Sequence, residues 1–427
     1  MALVIRGASL LGDRTADLYV DDAGVLVDSA PAGAETIDAA GLVALPGLVD
    51  LHTHLREPGR EDAETVLSGS RAAALGGYTA VLAMANTSPV TDTAEAATRV
   101  WELGREAGLV HVQPVGAVTR GLAGEELAEL GLMHRSRAGV TVFSDDGRCV
   151  HDARVMRRAL EYVKAFGGVV SQHSQDPDLA GPSACCHEGE VSGRLGLPGW
   201  PGIAEEVIVA RDVMLARHTG SRVHVAHVST AGSVEVLRWA RAQAERDGSW
   251  SVTAEVTPHH LLLTTDLLTG YDPTYKVNPP LRPQEDVDAL RAALADGTID
   301  AVATDHAPHA RHDKEHAFVD AAFGMLGLET ALGVVRTAMP DLSWADLARV
   351  MSVAPARIAG LAEQGRALEP GSPAHVVLVD PDASVTVDRD ASVSLSRNNP
   401  WHGRTLTSHV VHTVFGGRVT VRDGALV

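Results

Sequence analysis

Eight short, nearly continuous apolar runs lie between about Pro46 and about Gly360, each separated from the next by a longer, more polar stretch. They read LVDLHTHL, YTAVLAMA, VHVQPVGAV, GVTVFSDD, VVSQHSQ, VHVAHVS, VTAEVTPHH and AVATDHAPH. Short apolar runs with little alternation mark strands covered on both faces. The stretches between them, such as Glu64–Gly77 and Ala153–Phe166, have helical spacing. Eight strands with eight crossovers predict an α/β fold, a (β/α)8 TIM barrel of about 250 residues plus insertions. In that architecture the chemistry sits at the C-terminal ends of the strands. The polar residues of the runs fall there: His52, His54, Asp146, His173, His227, His259, Asp305 and His309.

The two ends of the chain read differently. LVIRGASLL, ADLYV and VLVD near the start, and AHVVLVD, SVTV, HVVHTVFGG and RVTVRDG near the finish, are short strand patterns broken by turn signals such as Asp22-Ala23-Gly24. Neither end has enough apolar residues for a core of its own. Residues 1–45 and 361–427 are therefore expected to pair as the two parts of a small β-sandwich, with a barrel over 46–360 inserted between them.

A net charge of −19 offers no basic face to nucleic acid or to an anionic membrane. It leaves room for a small anionic substrate, for which one well-placed arginine suffices. No apolar run approaches the roughly 18 residues of a membrane span, and MALVIRGASLLGDRT lacks the pattern of a secretory signal. Three cysteines, Cys149, Cys185 and Cys186, form no disulfide framework. These features predict a cytoplasmic protein, with the vicinal pair Cys185–Cys186 carrying no metal or redox role.

His52 and His54 stand two residues apart in a strand pattern, so both side chains face one way. Two imidazoles at a strand end are half a site for a divalent ion such as zinc. His173 and His227 occupy the ends of the fifth and sixth runs. Along the sixth run, alternation places Val223, Val225 and His227 on one face and His224 on the other, against a helix. Asp305 ends the eighth run, where a carboxylate can bind an ion and move a proton. Of Asp145 and Asp146 in FSDDG, adjacent strand positions, only one readily faces inward; Asp145 is read as the turn residue before Gly147. Four histidines and two aspartates can hold two ions if one carboxylate bridges them.

The segments PGLVDLHTHLREPG, FSDDG, VHVAHVST, TPHH, KVNPPLR and ATDHAPH resemble, in order and across nearly the whole chain, the motifs of bacterial dihydroorotases in the amidohydrolase superfamily. The resemblance implies a zinc-dependent cyclic amidase of pyrimidine biosynthesis, with two zinc ions per subunit. It assigns His52, His54 and Asp305 to one zinc, His173 and His227 to the second, and the bridging position to Asp146. The alternative bridge of many amidohydrolases, a carboxylated lysine, has no candidate: the only lysines are Lys164, Lys276 and Lys314, none at the end of the fourth run. The resemblance also implies substrate contacts by His54, Arg56, Asn86, Asn278 and His309, and by the backbone at Phe323-Gly324. Arg56 offers a planar fork to the substrate carboxylate.

The implied chemistry is attack of zinc-bound hydroxide on a ring amide, with Asp305 as general acid and base. The polar segment between His306 and Phe323 is expected to act as a mobile lid. The chain departs from the family in reading HSQDPDL after the fifth run, in Cys186 before His187-Glu188-Gly189, and in His375 of GSPAHVVL; the first two bear on local loop packing. His259 and His260 receive no role. Competing readings are a hydantoinase or allantoinase, and an inactive subunit that scaffolds aspartate transcarbamoylase. A homo-oligomer is expected, with a transcarbamoylase complex as a further option.

Overall fold

The computed structural model describes residues 2–427. Each of the eight apolar runs contains a strand, and these strands form two parallel sheets. One joins Leu48–Thr53, Tyr78–Ala83 and His111–Pro114. The other has the order Ala301–Val302, Ser251–Val256, Arg222–Val225, Val169–Gln172, Val142–Phe143. The two sheets meet at both edges through single parallel bridges, Gly116 to Phe143 and Thr53 to His306. Regular pairing is interrupted at these two junctions, so no continuous eight-stranded ladder runs through the described residues. The fold is mixed α/β, with helices such as Val66–Leu75, Ala94–Ala107, Ala153–Lys164, Ile203–Thr219 and Ala231–Asp247 between strands.

The strands are apolar because both their faces are covered. Val81, Val112, Val170, Val223, Val225 and Val252 pack outward against helix residues including Val100, Leu160, Val163, Val209 and Leu237. Leu51, Leu82, Val115, Val142, Val169 and Ala301 face inward around Ile358 and Ala359. The helices supply matching stripes. In Ala153–Lys164 the buried positions are Val155, Met156, Ala159, Leu160 and Val163, at helical spacing. That helix starts where the Asp152 side chain accepts from the amides of Arg154 and Val155, satisfying donors that an uncapped first turn would leave open.

The chain ends share one nine-stranded sheet. Val43–Pro46 runs parallel to Leu3–Leu10 and antiparallel to Val376–Thr386, with Val43 opposite Val379 and Pro46 opposite Val376. The period of two then divides Val376–Thr386 between two cores. Val376 and Leu378 pack with Leu3, Ile5, Leu18 and Ile37, whereas Val377 and Val379 join the central core. The segment 392–399 leaves this sheet and reaches the rim of the parallel strands, where Ser396 Oγ donates to Ala63 O at 2.7 Å. Cys149, Cys185 and Cys186 are all free thiols. No helix among the described residues is long and apolar enough to cross a membrane.

Candidate metal centre

The site forms where regular strand geometry stops. Arg56, His227 and Asp305 have φ of 61°, 31° and 46°, a region sparsely occupied by residues with a side chain. Such conformations cost on the order of 1–3 kcal/mol each and persist only where the surroundings enforce them. At His227 this bend corrects the alternation reading. The strand ends at Val225, and Val223 and Val225 face the outer core. His224 is the inward residue of the strand, with Nε2 3.0 Å from Glu255 Oε2 and Nδ1 2.8 Å from Thr253 Oγ1. Strict alternation from His224 would have sent His227 outward; the positive φ returns it to the interior.

The structure brings together all six residues expected as ligands, and each is buried. Asp146 lies at their centre. Its Oδ1 is 3.2 Å from His52 Nε2 and 3.3 Å from both His173 Nδ1 and His227 Nε2; its Oδ2 is 3.4 Å from His54 Nε2. Asp305 Oδ1 is 3.1 Å from His54 Nε2 and 3.7 Å from His52 Nε2. Two triads, His52–His54–Asp305 and His52–Asp146–His227, have all their ligand atoms within 4.8 Å of one another. His173 joins through Asp146 and through His227, whose Nε2 is 2.9 Å from its Nδ1. Asp145 is turned away: its Oδ1 accepts from the amides of Val118 and Thr119 at 2.8 and 3.0 Å, tying two loops together.

Three of the histidines spend their other nitrogen on an acceptor. His52 Nδ1 is 2.9 Å from Glu255 Oε1, His54 Nδ1 2.9 Å from Asn86 Oδ1, and His173 Nε2 2.9 Å from Gln175 Oε1. Each of these nitrogens carries the hydrogen in the neutral ring, so the lone pair is directed at the cluster. Lone pairs then face carboxylate oxygens, an arrangement that repels unless positive charge lies between them. His52 Nε2 shows this most clearly, being buried without a hydrogen-bond partner although Asp146 is close. The donor set therefore fits a divalent cation.

The buried carboxylates draw positive charge to the cluster, whether an ion or a proton. Burial opposes charge on His52, but Asp146, Glu255 and Asp305 outweigh it and hold the pKa well above the ordinary value. Burial likewise opposes ionisation of Asp146 and Asp305, yet the surrounding histidines hold both carboxyls below the usual range.

Glu255 and His224 were missed as site residues from the sequence, although a lone charge inside the apolar run VTAEVT was a signal. Glu255 receives His52 and His224 on its two oxygens, and the histidines bring its pKa down to about 2 against burial. Substituting Glu255→Gln is expected to weaken metal binding by about 10- to 100-fold, the usual cost of losing an outer partner of a ligand histidine. Competition with a chromophoric chelator measures this, and unchanged affinity would detach Glu255 from the metal centre.

Arg56 lies at the mouth. Its Nε donates to Pro308 O at 3.0 Å, and its Nη2 is 3.3 Å from His309 Nε2. That same imidazole nitrogen is 2.7 Å from Phe323 O, to which it donates. Burial and Arg56 lower the His309 pKa to about 2, so the ring is neutral and Nε2, occupied by its hydrogen, cannot also accept from Arg56. Among the described residues no carboxylate oxygen lies within the 4.0 Å of an ion pair to Arg56.

Gly324, at φ 143°, passes so close that a Cβ would sit 2.9 Å from His309 Nε2 and 2.7 Å from Ala307 Cβ. Its carbonyl accepts from Lys314 Nζ and from Asn398 Nδ2, both at 3.1 Å. The segment expected as a polar lid thus contains a short helix, Arg311–Lys314, anchored by a buried lysine. Asn86 sits beside His54, and Asn278 across the cluster beside Gln175. Neither Lys314 nor Asn398 was legible as part of the site, because both act on backbone carbonyls brought in by distant segments.

The fold and this cluster define a hydrolase of the amidohydrolase class, a generally metal-dependent group whose family model, "Amidohydrolase family", matches residues 206–420. A second model, "Dihydro-orotase-like", matches residues 41–233. The chain is 58% identical to the dihydroorotase of Streptomyces coelicolor, with 99% of each chain covered. It is 54% identical to the dihydroorotase of Mycobacterium tuberculosis, with 100% of each covered. Among solved structures it is similar to an L-hydantoinase (dihydropyrimidinase) from Arthrobacter aurescens, with a TM-score of 0.85 and 26% identity over 100% of this chain and 97% of that one. The chain belongs to the dihydroorotase family.

Proposed function

We propose that the chain is a zinc-dependent dihydroorotase, interconverting N-carbamoyl-L-aspartate with L-dihydroorotate and water. The observation that carries this reading is Arg56: a guanidinium at the rim of the histidine–aspartate cluster, with no carboxylate among the described residues paired to it. Holding an arginine partly buried and uncompensated is unfavourable, and the substrate carboxylate supplies the missing anion. Full-length relatives named dihydroorotase support the same conclusion.

His52, His54 and Asp305 are proposed to hold one zinc and His173 and His227 the other, with Asp146 between them. When bound, such ions supply Lewis acidity toward a carbonyl and a water acidic enough to act as nucleophile at neutral pH. The protein's own residues set the rest. Arg56 takes the substrate carboxylate, while Asn86, Asn278 and His309 border the ring and convert binding into orientation. Asp305, kept ionised by its histidines, has Oδ1 against His54 and His52, leaving Oδ2 to accept a proton and return it to the leaving ring nitrogen. In the synthetic direction the ureido nitrogen attacks the side-chain carboxyl carbon, the same oxygen takes the N–H proton and passes it to one carboxyl oxygen, and the C–O bond to that oxygen breaks, releasing hydroxide that takes a solvent proton to become water.

The single bridges at Gly116–Phe143 and Thr53–His306 support reading the eight strands as a closed (β/α)8 barrel over residues 46–360. The β unit then comprises residues 1–45 and 361–427.

The test is hydrolysis of dihydroorotate beside hydantoin and allantoin by the zinc-replete protein. Turnover of dihydroorotate, lost on chelation and restored by zinc, is the expected result. Turnover confined to the neutral rings, or to none, would overturn the assignment.

A further inference from the structure

The HSQDPDL stretch places an amide at position 175, two residues beyond a proposed metal ligand. In the structure Gln175 Oε1 accepts two hydrogen bonds at once: from His173 Nε2 at 2.9 Å and from Asn278 Nδ2 at 2.9 Å. His173 and Asn278 are 105 residues apart in sequence. One belongs to the ligand cluster and the other to the substrate rim. A carboxamide oxygen is only an acceptor, so the contact forces the His173 hydrogen onto Nε2 and leaves Nδ1 free. Nδ1 is the atom facing Asp146 Oδ1 at 3.3 Å and His227 Nε2 at 2.9 Å. His173 is thereby set apart from His52, His54 and His227, which turn Nε2 to the cluster.

We propose that Gln175 is a positioning residue that couples the second metal position to substrate recognition, through the one oxygen shared by His173 and Asn278. The proposal rests on the functional reading above for the role of Asn278, and on geometry alone for that of His173. Its physical content is the sharing. The oxygen fixes the tautomer and ring direction of His173, and it uses one Nδ2 hydrogen of Asn278, so the other hydrogen and Oδ1 remain for the ring of the substrate. A neutral amide polarises the imidazole less than the carboxylate that Glu255 offers His52. The position at His173 is therefore held less tightly than the one at His52. Linkage requires reciprocity: whatever orders Asn278 also steadies His173, and the converse.

Gln175→Leu and Gln175→Glu test this, with zinc itself as the probe in chelator competition and the KM for dihydroorotate as a second readout. Gln175→Leu removes both hydrogen bonds. It is expected to weaken one of two zinc equivalents by about 10- to 100-fold and to raise KM several-fold, with the other equivalent unchanged. Gln175→Glu keeps both acceptor contacts and adds charge behind His173, so the weaker zinc equivalent should bind at least as tightly as in the unsubstituted protein. Unaltered zinc binding in a folded Gln175→Leu, or weaker zinc binding in Gln175→Glu, would overturn the proposal. The zinc titration needs no turnover, so failure of the dihydroorotase reading and failure of the Gln175 coupling are separately visible.

Discussion

Asp305→Asn is expected to lower dihydroorotate turnover on the order of 10²–10⁴-fold, the range that a positioned proton-transfer group contributes. The substitution keeps the shape of the side chain and removes its charge and basicity. Asp305 is the residue to lose because it is buried yet held ionised, with His54 at 3.1 Å and His52 at 3.7 Å from one oxygen. Zinc content is to be measured on the same sample, since Asp305 also belongs to the His52–His54 triad. Retained zinc with lost turnover assigns the effect to the proton. Turnover within a few-fold of the starting enzyme would remove Asp305 from the chemistry.

Arg56→Met is expected to act mainly on binding. A hydrogen-bonded charge pair contributes about 1.5–3 kcal/mol, so KM for dihydroorotate should rise by roughly 10- to 150-fold. Methionine has no special difficulty at φ 61° that arginine lacks, so backbone strain does not confound the comparison. Neutral rings such as hydantoin provide the control: whatever slow turnover they show should change little. An equal loss on both substrate types would place Arg56 in the support of the site and leave the carboxylate to another group. His309 is no substitute, because its ring stays neutral and donates to Phe323 O.

The ligand residues were legible because they interrupt apolar runs. In LVDLHTHL and AVATDHAPH a histidine or aspartate stands where packing alone would call for a hydrophobic side chain. The direction in which each side chain points was less legible. Alternation paired His52 with His54, and both reach the cluster, although the strand register shifts between Asp50 and Thr53; it inverted His224, and His227 reaches the interior only because the chain bends beyond the last regular strand residue. No local pattern announces a positive φ at a residue other than glycine; the surrounding packing imposes it.

Asn398 and Lys314 mark the other limit. Their partners are the carbonyls of Ala307, Gly324, Ala322 and Lys276. Every residue has a carbonyl, so such contacts leave no trace in residue type. Gln175 stood out in sequence only as a departure from its family, and its two partners became visible once strand five and the loop carrying Asn278 were side by side.

The sequence by itself determined the chemical inventory: eight buried strands, two pleated ends, four imidazoles and two carboxylates at strand ends, and an arginine two residues past the first pair. These follow from composition and period, which are local properties of the chain. The tertiary structure alone decided which nitrogen of each histidine faces the cluster, which acceptor holds the other, and how the C-terminal segment fastens the substrate rim. Tautomer and orientation are set by hydrogen bonds between residues far apart in sequence, as from His52 to Glu255, 203 positions away, and only the folded chain brings such partners within reach.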